Sequence, residues 1–197
     1  SIYKTGLHRT PAEFEKKATV NEQIAGLNAS LMFRNTQVGF TLVQTRLNQS
    51  LIPEISTYNH FYFAGNKQSS AGINYRARWH KFNFFGETAV SEKWSMATIN
   101  GLSFSPHSQV SLVILQRYFS PEYDTFYANT FSESSRVNNE SGIYLGTEIR
   151  PYKRWKIAAY ADSYRFPWPK FGVDAPSLGQ DYLFQLDFMA RKDLTMF

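Results

Sequence analysis

The residues from Ser70 to Trp79 alternate in character without a slip. Ala71, Ile73, Tyr75, Ala77 and Trp79 fall on one side, and Gly72, Asn74, Arg76 and Arg78 on the other. Successive side chains of a β-strand point to opposite faces, so this run reads as a strand with two unlike surroundings. Beyond His80-Lys81 a second arm repeats the pattern, with Phe82, Phe84 and Gly86 set against Asn83, Phe85 and Glu87. One face of the hairpin is apolar and ends in aromatics; the other carries small residues and bare charges. The charged face is too polar for a protein core, and the arms are too long and aromatic for a surface ribbon. A barrel in lipid, apolar outside and polar inside, satisfies both faces at once.

The same alternation recurs along the chain and predicts about nine strands. They fall at 22–34, 37–47, 70–79, 82–90, 94–104, 109–119, 141–150, 155–164 and 181–190. The phase of the second strand blurs after Val43, and the change of phase at Asn100-Gly101 predicts a bulge. Short turns join every other pair of strands. The remaining connections are long at 48–69, 120–139 and 165–180, and intermediate at 91–93. Outer-membrane barrels show this alternation, with short periplasmic turns and long extracellular loops. The expected fold is therefore all-β, an antiparallel up-and-down transmembrane β-barrel segment forming one unit over 1–197. Residues 1–21 form a lead-in loop, in which Thr10-Pro11-Ala12-Glu13 is a capping box for a short helix over 11–18. Single-chain bacterial barrels have an even strand count, and Asp193 to Phe197 reads as a strand just begun. The expectation is that strands are missing at one or both ends.

Composition narrows the chemistry. Aromatic residues make up 17% of the chain, yet no apolar run is long enough for a membrane helix. The alternative of a soluble β-barrel or sandwich binding module places Ile73, Tyr75 and Trp79 inward instead. Cysteine is absent, which removes disulfides, thiolate chemistry and cysteine metal sites. The net charge of +5 is scattered singly, with no basic run of the kind that binds nucleic acid. His8, His60, His80 and His107 have no partner at ligand spacing, so neither a metal nor a cofactor is expected. No predicted strand contains a histidine, His80 and His107 falling in expected turns, so no catalytic residues are assigned.

Two groups of side chains are candidates for function. The first is the charged residues in polar phase: Arg34, Arg76, Arg78, Glu87, Glu148, Arg150, Lys156, Asp162 and Asp187. Such groups either line a wet channel or pair across a plugged lumen; Arg76 and Arg78 beside Glu87 are expected to form a salt-bridge patch. The second is the loop aromatics Tyr58, Phe61, Tyr62 and Phe63, with Trp168 and Phe171 in a proline-rich loop. These rings either present a ligand-binding surface or fold back to cap the barrel or lie at the headgroup level. Folding back is the simpler expectation.

Several stretches also carry a family resemblance. "FFGETAVS", "NGLSFSP", "SLVILQRYF", "FSESS" with "NNESGIYLG", and "FPWPKFGVDAPSLGQDY" follow one another in order. Together with "RTPAEFEKKATVNEQIAG" and "YNHFYFAG", the sequence resembles the C-terminal barrel of Bacteroidota outer-membrane proteins labelled helix-hairpin-helix domain-containing. The resemblance implies an outer-membrane location; with the two-face alternation and the loop-length asymmetry, the expectation is contact with outer-membrane lipid and other envelope proteins and a transport or anchoring role. Its helix-hairpin-helix unit would precede Ser1, so any nucleic-acid contact would belong to residues outside this sequence. It implies no catalytic residues.

Overall fold

The computed structural model describes residues 9–15, 17, 19–191 and 194–196. A helical turn, α1 (Pro11–Phe14), opens it, and the capping box forms as the sequence predicts. The Glu13 amide donates to Thr10 Oγ1 at 3.3 Å, and the Thr10 amide donates to Glu13 Oε2 at 3.2 Å. The helix is shorter than expected; Lys16 and Ala18 of the expected span lie outside the described residues, as does His8.

Ten strands follow: β1 (Glu22–Phe33), β2 (Thr36–Leu51), β3 (Gly65–Trp79), β4 (Phe82–Ser91), β5 (Met96–His107), β6 (Val110–Phe119), β7 (Glu140–Ile149), β8 (Trp155–Phe166), β9 (Ser177–Arg191) and β10 (Leu194–Met196). Each pairs antiparallel with the next, giving a single up-and-down sheet in the order β1 to β10. The sheet is open: β1 and β10 are its edges among the described residues. The connections alternate as the sequence predicts. Residues 34–35, 80–81, 108–109 and 150–154 make the turns at one end, and 52–64, 92–95, 120–139 and 167–176 the links at the other.

The register corrects three readings of the sequence. The phase of β2 does not fail after Val43; it holds in step with β3 as far as Arg46, opposite Lys67. No bulge lies at Asn100-Gly101, where β5 stays in register with both neighbours. The register shifts instead between Phe104 and His107, where Pro106 has no N–H to give the ladder. Arg34 and Arg150, expected on the strand faces, sit in turns. Arg34 has φ 39°, a left-handed conformation that ends the strand.

Cross-strand partners share a face, so the register sorts the side chains into two sets. One face carries Leu31, Val38, Ile73, Phe84, Ile114, Leu145, Phe184 and their neighbours. Its large side chains stand exposed: Ile73 is 54% accessible, Leu145 49% and Phe184 72%. The other face carries the buried residues, among them Thr45, Leu47, Gln68, Ala97, Arg117, Phe119, Glu140 and Asp162. Arg117 and Glu140 are wholly inaccessible while the leucines opposite are not. Globular proteins in water put large apolar groups inside and charge outside. This sheet has the reverse arrangement.

Along the short-turn end of the apolar face the aromatics stack. Trp79 packs on Phe82 and Phe82 on Phe104, with ring centroids 6.0 and 4.5 Å apart, and Trp155 meets Phe188 at 4.6 Å. Farther along, a chain of side-chain hydrogen bonds crosses the same face. Tyr75 Oη donates to Asn100 Oδ1 at 3.0 Å, and Asn100 Nδ2 donates to Gln116 Oε1 at 3.2 Å.

Candidate functional site

The loop between β6 and β7 (120–139) lies over the polar face and makes its contacts there. Tyr123 packs with Ala97 and Phe119. The Gln68 side chain is bound at both ends by loop backbone, donating to the Asp124 carbonyl at 3.0 Å and accepting from the Phe126 amide at 2.8 Å. Tyr127 Oη donates to Glu22 of β1.

Beneath the loop lies a charged cluster. Arg117 Nε donates to Glu140 Oε1 at 2.6 Å and Arg117 Nη1 to Asp162 Oδ1 at 2.9 Å. The guanidinium lies between two rings, 5.2 Å from Phe131 of the loop and 5.7 Å from Tyr164 of β8. The Glu140 carboxylate also accepts the Glu133 amide, at 3.0 and 3.2 Å, which ties the loop to the cluster. Gly142, opposite Arg117 in the register, makes room for it. A Cβ there would come within 2.8 Å of Arg117 Cζ and 3.0 Å of the Ser163 carbonyl oxygen. Arg117 Nη2 is buried with no hydrogen-bond partner. The cluster sets two carboxylates on one guanidinium with all three side chains buried, and its packing is that of a clamp.

The structure sorts the candidate charges as follows. Asp162 belongs to the cluster. Lys156 and Asp187 face each other in the β8–β9 register and pair at 3.0 Å, with Gln185 donating to Asp187 at 2.7 Å. Glu148 lies on the polar face and pairs at 2.7 Å with Arg150 in the adjoining turn. The expected patch of Arg76, Arg78 and Glu87 does not form. Glu87 is opposite Asn74, while Arg76 and Arg78 face Phe85 and Asn83, so the charges are out of step. All three are exposed; Arg76 and Arg78 lie toward the short-turn end of the polar face, while Glu87 lines a cavity with Tyr123 and Tyr127 of the 120–139 loop. Arg117 and Glu140, absent from the expected set, are the most buried charged groups among the described residues.

The loop aromatics come together. Tyr58 packs edge-on against Tyr62 and Phe171 at 6.2 and 5.3 Å, and Phe61 against Trp168 at 4.8 Å. Phe63 packs on Phe126 at 5.1 Å, and Arg136 lies 3.9 Å over the Tyr62 ring. Asn139 and Trp168 exchange two hydrogen bonds at 2.7 and 2.8 Å. These contacts fasten the three long links to one another, and Phe171 alone of the named rings stays 82% exposed.

The chain matches no family model and no curated protein. No helix among the described residues is long and apolar enough to cross a membrane.

The loop is expected to respond to pH. Burial pushes the Asp124 carboxyl above its ordinary range, against the opposing pull of the Phe63 amide, which donates at 2.7 Å, and of Arg136. A carboxyl whose folded pKa is raised contributes stability below its unfolded value, about 3.9, and that contribution is lost as pH rises through the folded pKa. Loop amides should therefore exchange hydrogen more slowly, relative to their intrinsic rates, near pH 4 than at pH 7. Asp124→Asn, which keeps an acceptor for Phe63, should flatten the difference. Faster exchange on acidification would mean that the ionic contacts, not burial, govern the loop.

Proposed function

We propose that this chain is a wall of an outer-membrane β-barrel and that its role is to anchor rather than to form a wide pore. One observation carries this reading: charge is sealed on one face of the sheet while Ile73, Leu145 and Phe184 stand exposed on the other. That inversion suits hydrocarbon outside and a polar interior inside. The strands, at 10 residues for β4 and 16 for β2, reach the 9–11 that a tilted crossing takes. Stacked aromatics at the short-turn end suit a headgroup boundary. An open sheet edge in lipid leaves amides unpaired, so this reading requires β1 and the far edge of the sheet to be paired by further strands.

The anchor role is favoured over wide passage because the 120–139 loop is clamped across the polar face by Arg117, Glu140 and Gln68. The test uses the full-length protein folded into detergent and then into planar bilayers. The expected result is a heat-dependent shift in gel mobility with little steady conductance. Solubility without detergent and no heat shift would overturn the barrel. A large, stable conductance would overturn the anchor role in favour of transport.

A further inference from the structure

On the apolar face, near the long links, the sheet carries a groove of about 600 Å³. Leu27, Leu42, Ala71 and Val90 line it, and Trp94 of the β4–β5 link stands at its edge. Trp94 has φ 58°, a conformation that a bulky residue adopts only when its surroundings hold it there. The tight turn does so: the Trp94 amide donates to the Ser91 carbonyl at 2.9 Å and the Ser91 amide to the Ser95 carbonyl at 3.0 Å. The indole is left 84% exposed beside the groove.

Two rungs beyond Leu42 and Ala71, toward the links, the same face carries a pair of cations. Gln44 and Ser69 are joined at 3.3 Å, and the next outward rung sets Arg46 directly opposite Lys67. Like charges directly opposed across a strand pair destabilise it. Both side chains are exposed, and neither has an ion pair among the described residues. Glu92, on the far side of the groove, pairs with neither. Two neighbouring cations above an apolar trough complement one ligand chemistry, an anionic head joined to a hydrocarbon tail.

We propose that this is a binding site for an anionic membrane lipid, with its phosphate between Arg46 and Lys67 and an acyl chain in the groove beside Trp94. The inference rests on the membrane reading above. Its test is native mass spectrometry of the detergent-folded full-length protein, incubated with phosphatidylglycerol or phosphatidylcholine of matched chains. Wild type should retain phosphatidylglycerol preferentially. The double variant Arg46→Gln/Lys67→Gln should lose about 30-fold in that preference, two cations at the usual worth of a basic residue near an anionic surface. Trp94→Ala should weaken retention of both lipids alike. Competition by inorganic phosphate at the lipid's concentration would overturn the lipid in favour of a free anion. Equal retention of the two lipids by a protein that inserts and shifts on heating would overturn the site alone. A protein that never enters detergent or bilayer would overturn the membrane reading and the site together.

Discussion

Replacing Arg117 with leucine is expected to destabilise the folded protein by about 3–5 kcal/mol, the usual consequence of stripping a partner from buried charge. Glu140 and Asp162 would be left facing each other's charge with no cation between them. The loss should spread beyond β6, because Glu140 also holds the Glu133 amide and with it the loop. Denaturant unfolding of the detergent-folded protein measures the effect, and hydrogen exchange over 120–139 locates it. The triple change Arg117→Leu/Glu140→Gln/Asp162→Asn should recover much of the loss, since it removes the unpaired anions along with the cation. A single-variant loss below about 1 kcal/mol would mean that water reaches the cluster and that it is no clamp.

The second large effect distinguishes the two environments open to the apolar face. Arginine placed at Ile73 or Leu145 would stand near the middle of that face, where both native side chains are about half accessible. In a bilayer the change should destabilise by about 2–4 kcal/mol. On a surface facing water it should stay within about 0.5 kcal/mol. Ser111→Arg, exposed on the polar face of β6 and opposite Glu148, is the control and should be mild in either setting. Urea titration of the protein folded into lipid vesicles gives the comparison. Matching small effects at positions 73 and 145 would place the apolar face in water.

The strands and their faces were legible because side-chain alternation is a local signal. Ile73, Tyr75 and Trp79 could be assigned from ten residues of sequence, and the loop lengths fixed which ends face the same way. The clamp was not legible in the same manner. In β6, Ser111, Val113 and Leu115 share the face of Arg117, and that face is nearly as apolar as the one bearing Leu112 and Ile114, so alternation gave Arg117 no contrast. Glu140 falls between the expected loop and the expected strand; only its place opposite Phe119 makes it the first residue of β7. Ion pairing depends on register, which sequence sets only through turns. Polar phase alone puts Arg76 and Arg78 on the same face as Glu87, but the His80-Lys81 turn brings Phe85 and Asn83 opposite them. Arg34 and Arg150 failed for the complementary reason, since one residue past a strand end the polar phase no longer specifies a direction.

The Tyr127–Glu22 hydrogen bond joins residues 105 apart in the chain. A contact of such span closes only after the intervening hairpins have collected, and contacts of that kind slow folding. The closure of the 120–139 loop onto β1 is therefore expected to form late and to open early. Hydrogen exchange during refolding would find the 120–139 loop gaining protection after β3 to β6 have already acquired theirs.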